Sequence, residues 1–288
     1  MPWVQLIIVD LVAALARDAY SDTDRKRKEH GVIKRKTSRL VAPPDAVRIV
    51  PLHGYASQPH LLAAAPAKLT YRKGPLLKAV EVFTIFCGNG WKTKSQTEMI
   101  AKLNGFFDFI LASPLLDQLS EYNTGAFKIS HGRRTGSVTI TTGLPGTSVT
   151  DSALQAFLKQ QIAAAKVPKT TSNTLYFIYL PPGVRVVMGG SSSCQAFCGY
   201  HSVIGSSVFY AVMPYPGCAG CTGELAAFDA LTSTSSHELC EAITDPIPGL
   251  GWYDDTNGEI GDICAWQTRK LGAYIVQLEW SNKARACV

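Results

Sequence analysis

The 288-residue chain has no uninterrupted apolar run of the roughly 20 residues that a membrane-spanning helix requires. Its closest approach, residues 3–16, is interrupted by Asp10 and has no basic residue ahead of it. That stretch is therefore not expected to insert stably in a membrane, and it matches a signal peptide poorly. No Asn-x-Ser/Thr site occurs, so N-glycosylation carries no information about compartment. Charge is sparse. Only 17% of residues are charged against 46% hydrophobic, a composition that excludes disorder for the bulk of the chain and can bury a substantial core. The most informative absence is local: between Arg185 and Arg269 there is not one Lys or Arg.

The net charge of +6 is unevenly spread. Residues 1–75 hold 13 basic and 6 acidic side chains, whereas residues 76–288 hold 15 and 16. The basicity belongs to the N-terminal part, where Arg25-Lys26-Arg27-Lys28 and Lys34-Arg35-Lys36 form self-repelling clusters that bury almost nothing. We read 1–75 as a basic, largely disordered tail or pro-segment and 76–288 as the folded domain. That domain is not basic, so no nucleic-acid partner is expected.

Seven of the eight cysteines (Cys194, Cys198, Cys218, Cys221, Cys240, Cys264 and Cys287) lie in the last third, with Cys87 apart. Their Gly-, Ser- and Pro-rich flanks describe loops with too little apolar content to order themselves. This predicts disulfide staples and a secreted or extracytoplasmic location. A cytosolic alternative would join Cys194-x3-Cys198 and Cys218-x2-Cys221 in a zinc knuckle, leaving Cys264 and Cys287 unexplained. Spacing alone leaves the connectivity open.

From about residue 79 the hydrophobic pattern becomes regular. Strands are expected at 80–86, 127–130, 137–142, 174–180, 207–213 and 274–280. Helices are expected over 95–121, broken at Pro114, over 151–166, and over 232–244 with Thr and Ser hydroxyls as caps. Residues 131–134 read as a turn, and 189–206 as a loop. The order of elements predicts an α/β (α+β) sandwich with a mixed twisted sheet.

The cation-free interval contains Glu224, Asp229, Glu238, Glu241, Asp245, Asp254, Asp255, Glu259 and Asp262. Carboxylates gathered without a cationic partner either raise one another's pKa values or bind a metal. Asp254-Asp255, in the turn sequence DDTNG, reads as a solvated exception. On the helix of His237-Glu238-Leu239-Cys240-Glu241, positions i and i+4 differ by about 40° and share a face. His237 and Glu241 can therefore grip one ion, while Glu238 projects about 100° away. This is the arrangement of the zincin motif HExxH with the second His replaced by Glu, and it predicts a zincin-like fold and one Zn2+. Asp245-Pro246 and the glycines after it turn the chain back through Gly258-Glu259-Ile260-Gly261-Asp262, which supplies further ligands.

CGYH at 198–201, HELCEAITDP at 237–246, WYD at 252–254 and GEIGDIC at 258–264 together resemble the EXORDIUM / phosphate-induced protein family of plants, and its bacterial and fungal relatives still more closely. The resemblance covers most of 76–288. It implies a secreted setting tied to growth control and the cell wall. Plant members carry HELAE where this chain has HELCE, and many have Asn where it has Asp245, which argues against Asp245 as a ligand. Glu259 and Asp262 match and are the better third-ligand candidates, Asp262 ahead. His201 also matches, ahead of strand 207–213, which is expected to be the edge strand over a zincin cleft.

Two functions follow as expectations. One is a secreted zinc-dependent hydrolase of metallopeptidase type acting on a peptide or cell-wall-associated substrate. Glu238 would be its base toward an activated water, and Tyr253 or His201 would stabilise the oxyanion. The other is a non-catalytic extracellular protein with a structural metal, or with a glycan site in which Trp252, Tyr253 and Trp266 stack on sugar. The sequence is silent on oligomeric state.

Overall fold

The computed structural model describes residues 49–53, 66–144 and 146–288. The basic clusters and the apolar stretch 3–16 lie outside them. In chain order the main elements are β1 (Ile49–Pro51), β2 (Glu81–Cys87), α1 (Lys94–Ile110), β3 (Arg133–Ile140), α2 (Asp151–Ala163), β4 (Thr174–Tyr179), β5 (Phe197–Ile204), β6 (Val208–Met213) and α3 (Ala227–Thr244). The strands form one mixed sheet in the order β1-β5-β6-β4-β2-β3. Strands β6, β4, β2 and β3 run parallel, while β5 is antiparallel to both of its neighbours. The α/β class with a mixed sheet is as expected.

Strand periodicity divides the core into two layers. Val82 and Phe86 of β2 with Phe177 and Tyr179 of β4 face one side. There Leu103, Phe106 and Phe107 of α1 and Leu239, Ala242 and Ile243 of α3 cover them. Phe83 and Ile85 with Tyr176 and Ile178 face the other side, under Leu154, Phe157 and Leu158 of α2. Such double-sided burial explains why β2 and β4 read as continuous apolar runs. Helix starts are capped by side chains: Thr93 accepts from Gln96 N, Ser113 from Leu115 N ahead of Pro114, and Thr150 from Ala153 N. The break at Pro114 follows the sequence.

Several boundaries differ from expectation. The folded region reaches back before residue 76, because β1 pairs with β5 and Thr70–Tyr71 pairs with Trp252–Tyr253. Residues 127–130 are not a strand, since side chains hold their amides: Phe127 N donates to Thr124 Oγ1 and Ile129 N to Asn123 Oδ1. Arg133 and Arg134 open β3 rather than ending a turn. Their alternation suits an edge strand, with Arg134 forked onto Asp108 of α1 at 2.8 and 2.9 Å and Arg133 paired with Glu81. The stretch read as a loop, 189–206, contains β5, concealed by its Gly, Ser and Cys content. Strand β6 is therefore interior and β5 carries β1 on its outer side.

Disulfides Cys194–Cys218, Cys198–Cys221 and Cys264–Cys287 staple the C-terminal half. The first two link the cysteine segments crosswise, so those four residues form no zinc knuckle. Cys87 and Cys240 are free thiols in the core. Among the described residues no single helix is long and apolar enough to cross a membrane.

Strand β1 stabilises the sheet edge by burying Val50 against the Cys198–Cys221 bridge. Burial of a valine side chain is worth roughly 1.5–3 kcal/mol. A chain starting at residue 54 is expected to melt at least about 3 °C below one starting at residue 41, at roughly 2–4 °C per kcal/mol. Equal melting temperatures by calorimetry would mean that β1 contributes nothing.

Candidate metal centre

Helix α3 is buried on every side from Ala230 to Thr244, between the sheet and the hairpin of Thr268–Leu271 and Tyr274–Gln277. A helix buried all round must satisfy its polar side chains internally. Thr232 Oγ1 donates to Ile275 O at 2.7 Å, Ser236 Oγ accepts from Gln277 N at 2.9 Å, and Ser235 Oγ lies 2.6 Å from the Tyr179 hydroxyl. These hydroxyls are not caps, as the sequence had indicated. The helix begins earlier, after Ala226, and its hydroxyls tie it to strands on both sides.

Close approach of the backbone brings the chemistry together. Gly199 of β5 faces α3, where a Cβ would stand 2.7 Å from Thr234 Cγ2. Two residues on, His201 reaches the helix, with Nδ1 3.1 Å from Glu238 Oε2 and 3.4 Å from Glu241 Oε2. On the other side of Glu241, Oε1 lies 2.9 Å from His237 Nε2, which is also 3.9 Å from Asp262 Oδ1. Asp262 N donates to Glu241 Oε1 at 3.1 Å. The donor atoms thus fall into two groups that share Glu241: His237, Glu241 and Asp262, and His201, Glu238 and Glu241. Either could hold a divalent ion.

Burial is nearly complete. His237, Glu238, Glu241 and Glu259 are 0% exposed and His201 is 1% exposed, so water cannot solvate these charges. His237 Nδ1, Glu238 Oε1, Asp262 Oδ1 and Glu259 Oε2 have no hydrogen-bond partner, while His237 Nε2, Glu241 Oε2 and Glu259 Oε1 meet only an ion-pair partner of the cluster itself. Desolvation raises the carboxyls of Glu238, Glu259 and Asp262 above the usual range, and the Glu241 charge pushes the same way in each. Burial disfavours the imidazolium of His237, but the Glu241 and Glu238 carboxylates outweigh it and raise its pKa well above the ordinary value. Glu259, Glu238 and Glu241 do the same for His201. Burial also opposes ionisation of Glu241, yet the two histidines prevail and bring it down to about 2. The cluster as a whole is short of positive charge.

The remaining sequence candidates separate. Asp245 is committed to backbone, accepting from Gly249 N and Gly251 N at 2.5 Å and Leu250 N at 3.0 Å, so its role is to shape the turn after α3. Glu259 lies beside the cluster, with Oε1 3.5 Å from His201 Nε2. Tyr253 is buried in the pair with Thr70–Tyr71, with the Arg72 guanidinium 5.4 Å over its ring. The Trp252 and Trp266 indoles donate to Tyr122 O and Pro51 O, and Trp266 stacks on His53, so both are engaged in packing. Glu224 is exposed, and Asp255 is exposed and paired with Arg72, a cation from outside the cation-free interval. Sequence reasoning missed Glu279, 0% exposed with both oxygens unpartnered and raised by burial, near His237 and the Cys240 thiol. It lies in the stretch 274–280 that the sequence marks only as a closing strand, with no neighbouring motif to single it out.

No model of a known protein family matches the chain, and no curated protein matches it significantly.

A Cβ at Gly261 would meet the His237 ring at 2.8 Å and Glu241 Oε1 at 3.0 Å. Gly261→Ala is therefore expected to destabilise by about 1–3 kcal/mol, the usual cost of overpacking. Gly125→Ala, with nothing within 4 Å, should stay within about 0.5 kcal/mol. Denaturant titration of the two variants distinguishes a tight cluster from a loose one.

Proposed function

We propose that this is an extracytoplasmic metal-binding domain in which His237, Glu241 and Asp262 hold a divalent cation as part of the protein core. The observation that carries the reading is the convergence of buried, unpartnered donor atoms on α3 and the 259–262 segment. Zinc suits a set of one imidazole and two carboxylates. With zinc about 2.0–2.2 Å from each ligand atom, tetrahedral neighbours stand roughly 3.3–3.6 Å apart. The 2.9 Å and 3.9 Å separations of His237 Nε2 from Glu241 and Asp262 bracket that range. A bound ion would supply the missing counter-charge and link α3 to the returning segment. Three disulfides support the compartment. The zincin-like fold and the EXORDIUM-like motif string belong to the same proposal.

A second reading, a metallopeptidase-type hydrolase, is favoured by one observation. Glu238 lies outside the His237, Glu241 and Asp262 group and pairs with His201, as a base held in position would. The burial of the donor side chains, of which only Asp262 keeps some exposure, weighs against it, because a substrate would have to open the core. The structural reading is therefore preferred.

Full-length protein is expected to carry a divalent ion, and a chelator should lower its melting temperature. Metal at 1,000 times its Kd stabilises by about 4 kcal/mol, or roughly 8–16 °C for a domain of this size. His237→Ala should lower the bound metal and lose most of that gain. Protein that binds no divalent ion at micromolar concentration would refute the proposal, whereas cleavage of a peptide library by the metal-loaded protein would favour the hydrolytic reading.

A further inference from the structure

The shared position of Glu241 has a second consequence. Its two oxygens face different histidines, Oε1 toward His237 at 2.9 Å and Oε2 toward His201 at 3.4 Å. His201 Nε2 lies 3.2 Å from the Asp245 carbonyl oxygen and 3.5 Å from Glu259 Oε1. Both of these atoms are acceptors, so Nε2 carries the ring proton. A histidine whose far nitrogen donates to a backbone carbonyl is oriented as a metal-ligating histidine usually is. In that tautomer Nδ1 carries a lone pair, and it points at Glu238 Oε2 and Glu241 Oε2, which are also electron-rich.

A proton on Nδ1 would satisfy one of these contacts. It would leave Glu238 Oε1 and Glu259 Oε2 without a hydrogen bond in a fully buried setting. Charge counting reaches the same point. Glu238, Glu241, Glu259 and Asp262, with Glu279 near His237, give the centre five carboxyl groups, and one divalent ion balances only two of them when ionised. Among the described residues, Glu238, Glu241, Glu259 and Asp262 form ion pairs only with His201 and His237, and none with a Lys or Arg. The charge of Asp245 is met separately by its three amides.

We infer that the domain has a second divalent-cation position, held by His201 Nδ1, Glu238 and Glu241, with Glu241 bridging it to the first and Glu259 close by. The inference rests on the metal-binding reading above and adds to it a two-ion centre. His201 and Glu238 become ligands, and the cation takes the place of a proton between strand β5 and helix α3. The 3.1 and 3.4 Å separations of Nδ1 from the two oxygens suit neighbouring zinc ligands at about 2.0–2.2 Å each.

The test is zinc stoichiometry. Full-length protein equilibrated with zinc and freed of excess would be measured by native mass spectrometry and elemental analysis. Two ions per chain are expected for the wild type, and one for Glu238→Gln, which preserves side-chain shape while removing an anionic ligand. His201→Gln should also fall to one, and Glu241→Gln should fall below one because both positions use it. One ion in the wild type would overturn the second position and leave the first standing, and none would overturn both. Two ions retained by Glu238→Gln would place the second zinc elsewhere and equally defeat the inference. A wild-type count below two overturns the inference even where a variant fails to fold.

Discussion

The structure turns on one electrostatic constraint: five carboxyl groups and two imidazoles are packed into the core, and none of them is ion-paired with a Lys or Arg among the described residues. An ionised carboxylate without a partner is among the most costly groups to bury, and these side chains have surrendered their water. Helix α3 contributes His237, Glu238 and Glu241, strand β5 contributes His201, and the returning segment contributes Glu259 and Asp262. Each element must come close enough for the charges to meet. Gly199 and Gly261 permit that approach, because a methyl group at either would collide with the facing element.

Covalent and apolar forces hold those elements in place. The Cys198–Cys221 bridge anchors the start of β5, and Cys264–Cys287 ties the turn after Asp262 to the C-terminal strand. Trp280 N donates to Ile260 O and Gln277 Nε2 to Gly261 O, so hydrogen bonds fix the same segment from the hairpin side. The hydroxyl-rich face of α3 replaces a greasy interface with directional bonds. It sets the helix in one rotation about its axis, and hence decides where His237 and Glu241 point.

Enclosure has opposite effects on binding and turnover. Excluding water strengthens every charge interaction inside the cluster and favours a tightly held ion. It also withholds the open position that hydrolysis of an external substrate requires. On the proposed reading, the centre contributes stability rather than turnover. Glu238 shows how the same residue reads differently at two levels: its spacing beside His237 suggests a base, whereas its contacts join it to a histidine from another strand.

The helical spacing of HELCE, the cation-free interval and the return through GEIGD were legible in the sequence, because helix periodicity fixes which residues share a face and charge imbalance needs no coordinates. The α/β class, the buried strands and the break at Pro114 were legible for the same local reasons. The partner of Glu238 was not. His201 sits in a segment whose Gly, Ser and Cys content hid a strand, and only sheet pairing with β1 and β6 aims it at α3. Asp245 is held by three amides, in line with the argument against it as a ligand, while Glu279, unremarked in the sequence, is buried beside the Cys240 thiol, since burial and hydrogen bonding depend on packing against distant segments. Which atoms face one another across β5, α3 and residues 259–262 is a property of long-range packing, and it decided that Glu241 faces two histidines rather than one.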